Sequence, residues 1–327
     1  MTCLSGLVSR LRLGTVEGQK TTGRYAYLGP EGTFTEAALA AFDPAALNGA
    51  LPCATIQATL DAVRSGEADR AIVPIENSVE GAVTATLDEL ATGPDIAICA
   101  ELLLPVTFAL LARPGTAVGD IKTVGGHPQA QGQCRRWLAE NLPDAEWLPA
   151  SSNAEAARQA ADGVLGAALA GAFAAERYGL AVLAREIGDV PGAVTRFVVV
   201  GRPGPVPAAT GADRTSLVAF LREDHPGALM ELLTEFAVRG INLTRIESRP
   251  TGDGLGKYCF SIDCEGHLDD ARVGEALMGL RRVCAEVKFL GSYPRHDGAA
   301  AQVRPGTSDA EFAQAAAWLG RLRYGRV

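Results

Sequence analysis

From residue 25 to about residue 200, short apolar runs alternate with stretches whose apolar residues recur at helical spacing. The pattern predicts strands at 25–28, 71–75, 96–104 and 106–111, and helices over 33–42, 56–63 and 83–90. Further strand–helix pairs follow: 122–124 into 129–138, 147–148 into 153–161, and 164–169 into 173–178. This alternation predicts an α/β region with largely parallel strands. Two lobes with a cleft are expected, the chain crossing near 103–106 and returning near 183–187. Residues 201–210, rich in Pro, Gly and Ala, read as a linker.

The pattern then changes. A strand at 215–221 leads into a helix whose apolar face is Leu229, Leu232, Leu233 and Phe236, ended by Gly240. A strand at 241–249, a turn at 252–254 and an alternating strand through Tyr258, Phe260, Ile262 and Cys264 come next. A second helix carries Val273, Leu277, Leu280 and Cys284, and a strand at 286–290 closes the set. The order is βαββαβ, a ferredoxin-like unit, which by itself says nothing of function. After an Ala/Gly-rich stretch, an amphipathic helix is expected from Ser308 over Phe312, Ala315, Ala316, Leu319 and Leu322.

A chain of 327 residues accommodates two or three domains. The expected division is a leader at 1–23, a first domain at 24–201, a linker at 202–213, a second domain at 214–295 and an extension at 296–327. The first domain divides into lobes of about 24–104 with 186–201, and 105–185. A formal net charge of −8 argues against nucleic acid or an acidic membrane surface as partner. The seven scattered cysteines contain no CxxC pair, and the start of the chain has no secretory signal. Both fit idle thiols in a reducing cytoplasm. No two of the four histidines stand at a metal-ligand spacing, so no metal is expected.

Chemistry concentrates in Pro74-Ile75-Glu76-Asn77-Ser78-Val79-Glu80-Gly81, where a strand hands over to a helix. Strand ends facing helix N-termini bind ligands in open α/β sheets, because free N–H groups point into the crevice. A capped turn accounts for one of the three polar residues at 76–78, and an anionic small molecule for more.

Three segments together resemble the prephenate dehydratase family: Gly29-Pro30-Glu31-Gly32-Thr33-Phe34-Thr35, the 74–81 run, and Val194-Thr195-Arg196-Phe197-Val198. The βαββαβ unit resembles the ACT regulatory domain of the same family, through Gly227-Ala228-Leu229-Met230 and Glu247-Ser248-Arg249-Pro250. The resemblance spans about 24–295. It implies a periplasmic-binding-protein-like two-lobed catalytic domain followed by the ACT unit. The activity it implies is loss of CO2 and water from prephenate to give phenylpyruvate, without a cofactor, on the route to phenylalanine.

Residue roles come with the resemblance. Thr195 matches the family's catalytic threonine and is assigned to the leaving hydroxyl. A threonine is too weak an acid for ordinary general-acid work, so hydrogen bonding to the developing charge is the expected role. Arg196 is expected either at a substrate carboxylate or holding Glu76, and Phe197 to seal the pocket. Glu76 next to a dianion is expected to be paired with an arginine or protonated. Asn77, Ser78 and the backbone of Gly32 and Thr33 are the expected carboxylate anchors. The segment Gly126-His127-Pro128-Gln129 matches a further family motif with Gly126 in place of serine, and His127 and Gln129 are expected contacts.

In the ACT unit, Gly227, Ala228 and Leu229 open a helix onto an effector carboxylate. Asn242 and Leu243 would meet its amino group and side chain, and Glu247, Ser248 and Arg249 would couple the site to the catalytic lobe. L-Phenylalanine is the expected effector and inhibition the expected sign. ACT units pairing edge to edge imply a homodimer or homotetramer. The alternatives are arogenate as substrate, or a non-catalytic binding protein.

Overall fold

The computed structural model describes residues 23–252, 254 and 257–325; residues 1–22, nearly all of the expected leader, lie outside them. The chain begins with β1 (Tyr25–Leu28), α1 (Phe34–Phe42), β2 (Leu51–Cys53), α2 (Ile56–Arg64), β3 (Arg70–Asn77), β4 (Gly81–Ala82), α3 (Thr84–Thr92) and β5 (Ala97–Pro105). β6 (Ala109–Ala112), β7 (Thr123–Gly126), α4 (Pro128–Gln133), α5 (Arg135–Asn141), β8 (Glu146–Pro149), α6 (Asn153–Ala161), β9 (Ala167–Ala170), α7 (Phe173–Tyr178) and β10 (Ala181–Ala184) follow. β11 (Val194–Gly201) returns to the first sheet, whose order is β2-β1-β3-β11-β5 with β4 on β3. The second sheet has the order β10-β6-β9-β7-β8.

The parallel pairs are β1 with β2, β1 with β3, β7 with β8 and β7 with β9. β6 runs antiparallel to both β9 and β10, and β4 folds back on β3, so the sheets are mixed where the pattern pointed to parallel strands. Alternate residues of β6 enter different cores. Leu110 and Ala112 pack with Phe108, Val124, Leu169 and Ile187. Ala109 and Leu111 pack with Ala157, Ala160, Leu165 and Ala174. A strand buried on both faces needs a continuous apolar run, which is why 106–111 read as one strand. The structure starts β6 only at Ala109, because Val106 is used in the crossover, where its N–H donates to the Ala193 carbonyl at 2.7 Å. The helix expected over 129–138 is two helices, broken at Cys134, whose φ is −122°. That thiol is buried, which pushes its pKa up to about 12.

The C-terminal part comprises β12 (Asp213–Leu221), α8 (Ala228–Ala237), β13 (Leu243–Pro250), β14 (Tyr258–Glu265), α9 (Ala271–Val283), β15 (Cys284–Pro294) and α10 (Asp309–Tyr324). Its antiparallel sheet has the order β13-β14-β12-β15. Leu217, Ala219, Phe260 and Ile262 meet Leu232, Phe236, Val273, Ala276 and Leu280 of the two helices in one core. The βαββαβ order is as the periodicity predicted.

By contacts the described chain falls into two units. One holds the residues up to Thr86 together with Leu102–Val199, and so most of both sheets of the α/β region. The other holds Leu87–Glu101 with the residues from Val200 on. In that second unit the sheet face away from α8 and α9 carries Arg245, Glu247 and Arg249. Arg249 forks onto Asp88 of α3 at 2.8 and 2.7 Å, and Lys288 donates to the Gly93 carbonyl at 2.6 Å. Arg214 pairs with the buried Glu101. Among the described residues no helix is long and apolar enough to cross a membrane.

Candidate active site

β1 and β3 are parallel neighbours, so the loops that leave them, 29–33 and 78–80, emerge at the same sheet edge. β11 starts there too. The Ser78 N–H donates to the Val194 carbonyl at 2.9 Å, and the Val194 N–H donates back to Ser78 Oγ at 3.0 Å. The topology thus brings the three sequence motifs to one carboxyl edge, the position where open α/β sheets bind ligands.

Asn77 ends β3 opposite Gly81, whose φ of +82° lets the chain turn straight into β4. Its Oδ1 accepts from the N–H groups of Val79 and Glu80 at 2.8 and 3.0 Å, an Asx-type turn. With Oδ1 so committed, Nδ2 must face the other way, and it donates to Thr195 Oγ1 at 2.7 Å. Thr195 is thereby an acceptor toward Asn77, and among the described residues its own proton has no protein acceptor. A hydroxyl held in this way is a donor awaiting a substrate oxygen.

Successive strand residues point to opposite faces. Glu76 and Arg196, one step along from Asn77 and Thr195, accordingly meet each other across the same two strands, at 3.8 Å. The guanidinium is 6% exposed and the Glu76 carboxylate 41%. The polar run at 76–78 therefore serves two faces: an ion pair behind the sheet edge and a hydroxyl-orienting amide in front of it. Phe197 is buried in the core.

Gly32 has φ +85°, and a Cβ there would come within 2.8 Å of the Tyr178 ring. Its N–H donates to the Glu36 carboxylate. The Thr33 hydroxyl caps α1, accepting from the Glu36 N–H at 3.3 Å and donating to the Leu28 carbonyl at 3.0 Å. The loop is thus tied down at Gly32 and at the Thr33 side chain, while the N-terminus of α1 still opens at this edge.

His127 and Gln129 stand at the corresponding carboxyl edge of the second sheet, after β7. His127 caps α4, its Nδ1 accepting from the Gln129 N–H at 3.3 Å, and its own N–H donates to Asn153 Oδ1 at 2.8 Å. The capped turn is what the structure shows there. Gly126 has its own reason: a Cβ would lie 2.8 Å from the Trp147 ring, so a serine requires that ring to shift. The two edges face each other. Gln133 Nε2 donates to Glu80 Oε1 at 3.1 Å, Phe34 packs edge-on against Phe108 and Phe173, and the Tyr178 hydroxyl donates to the Glu31 carbonyl. Gln133 and Tyr178 were given no role from sequence, and Phe34 only its place in a motif, since nothing local marks a residue that bridges two lobes.

In the second unit Gly227, at φ +97°, opens α8 with no side-chain cap, leaving helix N–H groups for an outside acceptor. Ala228 is buried and Leu229 exposed. Asn242 is exposed just before the edge strand β13, its carbonyl accepting from the Glu265 N–H at 3.0 Å, and Leu243 is half-buried opposite Cys264. Glu247, Ser248 and Arg249 lie along β13. Among the described residues no three His, Cys, Asp or Glu side chains are grouped to hold a metal.

A two-lobed α/β unit whose facing edges carry an oriented hydroxyl, joined to a βαββαβ unit, defines a ligand-controlled enzyme rather than a bare scaffold. The prephenate dehydratase family model matches residues 25–205 and the ACT domain model residues 215–282. A prephenate dehydratase of Mycolicibacterium vanbaalenii is 52% identical over 92% of this chain and 98% of its own length. The crystal structure of prephenate dehydratase from Arthrobacter aurescens, in complex with L-Phe, is 53% identical with a TM-score of 0.87. It covers 91% of this chain and 99% of that one. A quorum-quenching acylase, GqqA, shares the fold at 30% identity and a TM-score of 0.73, over 83% of this chain and 97% of its own. The chain belongs to the prephenate dehydratase family, with a C-terminal ACT domain, and is an enzyme of the lyase class.

Proposed function

We propose that this chain converts prephenate to phenylpyruvate, CO2 and water, under control of L-phenylalanine bound at the ACT unit. The observation that carries the reading is the Asn77–Thr195 contact at 2.7 Å, at the edge where all three family motifs meet. Prephenate must lose a ring carboxylate and a ring hydroxyl, and aromatisation supplies the drive. The protein's task is to hold the dianion and stabilise the departing oxygen. Thr195 donates to that oxygen as the C–O bond breaks, while Asn77 keeps the hydroxyl aimed. Ser78 accepts from Val194 and retains its own proton for a substrate carboxylate, next to the N–H groups that open α1. His127 and Gln129 close on the ligand from the facing edge.

Arg196 and Glu76 act as positioning residues. Their pair clamps β3 to β11 from the opposite face, and each charge is answered by the other rather than by substrate. The phenyl and lobe-bridging residues exclude water, and the carboxylate moving toward neutral CO2 is favoured in such a place.

At the ACT unit, the uncapped start of α8 takes the effector carboxylate, and Asn242 and Leu243 take its amino group and ring. β13 is an edge strand that carries the exposed Ile246, which fits edge-to-edge pairing of two copies and effector sites between them. Binding is transmitted through Arg249 to Asp88 on α3. That helix also carries Thr86, whose hydroxyl donates to the Pro74 carbonyl at 2.6 Å, three residues before Asn77. The enzyme works in the cytoplasm, with no membrane or nucleic-acid partner. Purified protein offered prephenate and arogenate in parallel tests the substrate. Faster turnover of prephenate is the expected result, and a strong preference for arogenate overturns it.

A further inference from the structure

α10 is well made and uncovered. Ser308 and Glu311 form a capping box, Asp309 and Glu311 stand in its first turn, Arg321 and Arg323 in its last, and Gly325 closes it in the left-handed region. None of its sixteen residues is buried. Trp318 is 56% exposed, Leu322 61% and Tyr324 79%, and Leu319 is exposed beside them. The helix is fixed to the rest of the unit near its start, where Asp309 Oδ1 accepts from the Ala271 N–H at 2.8 Å. A single helix of this length is marginal in water, and Trp318, Leu319 and Leu322, side by side on one exposed face, make a surface that wants a partner.

The spacing says which partner. Phe312, Ala315, Leu319 and Leu322 recur at three, four and three residues, the a and d positions of a heptad. In that frame Asp309, Ala316 and Arg323 fall at e, and Glu311 and Trp318 at g. We propose that α10 pairs antiparallel with α10 of a second copy of this chain, about a two-fold axis. Setting a against d across the axis puts Phe312 opposite Leu322 and Ala315 opposite Leu319 of the second copy. The same register places e against e and g against g. Asp309 then meets Arg323 of the second copy twice over, the small Ala316 faces its own mate, and Trp318 stacks on Trp318 beside the axis. No position leaves a like-charge pair. A parallel arrangement instead sets like ends of the two helix dipoles together. The seam is separate from the β13 edge, so a chain using both associates beyond a dimer.

The test is molar mass in solution by light scattering across a dilution series. It uses the full chain and the variants Leu322→Asp and Arg323→Asp. The full chain associates, and Leu322→Asp, at an exposed site, halves its mass while helix content and prephenate turnover stay unchanged. Arg323→Asp dissociates roughly tenfold more readily, because two exposed ion pairs become two repulsions. An unchanged mass for Leu322→Asp overturns the pairing, whether the face meets another protein or nothing. An Arg323→Asp variant that associates as tightly as the full chain overturns the antiparallel register.

Discussion

Asn77 uses one amide for two purposes: its oxygen folds the turn after β3, and its nitrogen holds Thr195. Thr195→Ala is expected to lower kcat roughly 10²-fold, as the loss of a transition-state hydrogen bond does, with KM little changed. Steady-state kinetics on prephenate checks this, and a change confined to KM makes Thr195 a binding group only. Asn77→Asp is the sharper variant. A carboxylate there accepts where the amide donated, so the Thr195 proton turns toward the new carboxylate and away from substrate. A kcat loss approaching that of Thr195→Ala is expected, and near-normal turnover would show that the hydroxyl needs no aiming. Gly32→Ala meets both a positive φ and the Tyr178 ring. It is expected to cost about 1–3 kcal/mol in denaturant unfolding, and an unchanged midpoint would contradict the reading. The run at 76–78 was conspicuous in sequence as polar residues at a strand end. That Arg196 holds Glu76 was one of two expectations, and alternation along β3 could not decide between them, because it says nothing of which strand lies beside it. The partner strand begins more than a hundred residues later, and Thr195 is 118 positions from Asn77.

Among the elements, α3 is the proposed link between the two activities. It holds Thr86 against Pro74 near its start and Asp88 against Arg249 a half-turn later. Asp88→Asn leaves one neutral oxygen for a guanidinium that now has two charged ones. Phenylalanine is expected to lose most of its effect on this variant while basal turnover persists, as initial rates over a phenylalanine titration will show. A wild-type titration curve would remove α3 from the route. Gly227→Val is expected to abolish the response by forcing a β-branched residue into φ +97° at the mouth of α8. The βαββαβ unit was legible because its helices and strands carry clean 3.6- and 2-residue periods. β4, with two residues, and β10, with four, are too short to show a period. The break at Cys134, whose thiol is buried, is likewise something no local pattern records. Arg249 could be placed on its strand from sequence, but Asp88 reads only as one more polar residue on the outer face of a helix.

Over the whole molecule, two carboxyl edges face each other and both carry motif residues: Gly32, Thr33, Asn77, Ser78 and Thr195 on one side, His127 and Gln129 on the other. Gln133–Glu80 and the Phe34 contacts hold that arrangement. The alternation of strands and helices announced a cleft but could not say which loops line it. Parallel pairing of β1 with β3 decides that, by sending both loops out of one edge. A fold alone does not imply a function, so the edge chemistry and not the architecture must carry the assignment. The most direct measurement is therefore the formation of phenylpyruvate from prephenate, read by its absorbance in alkali, for the wild type and Thr195→Ala, each with and without L-phenylalanine. The account predicts turnover by the wild type that phenylalanine lowers, and turnover roughly 10²-fold slower or more in the variant. Equal rates in the two proteins, or no phenylpyruvate from the wild type, would contradict it.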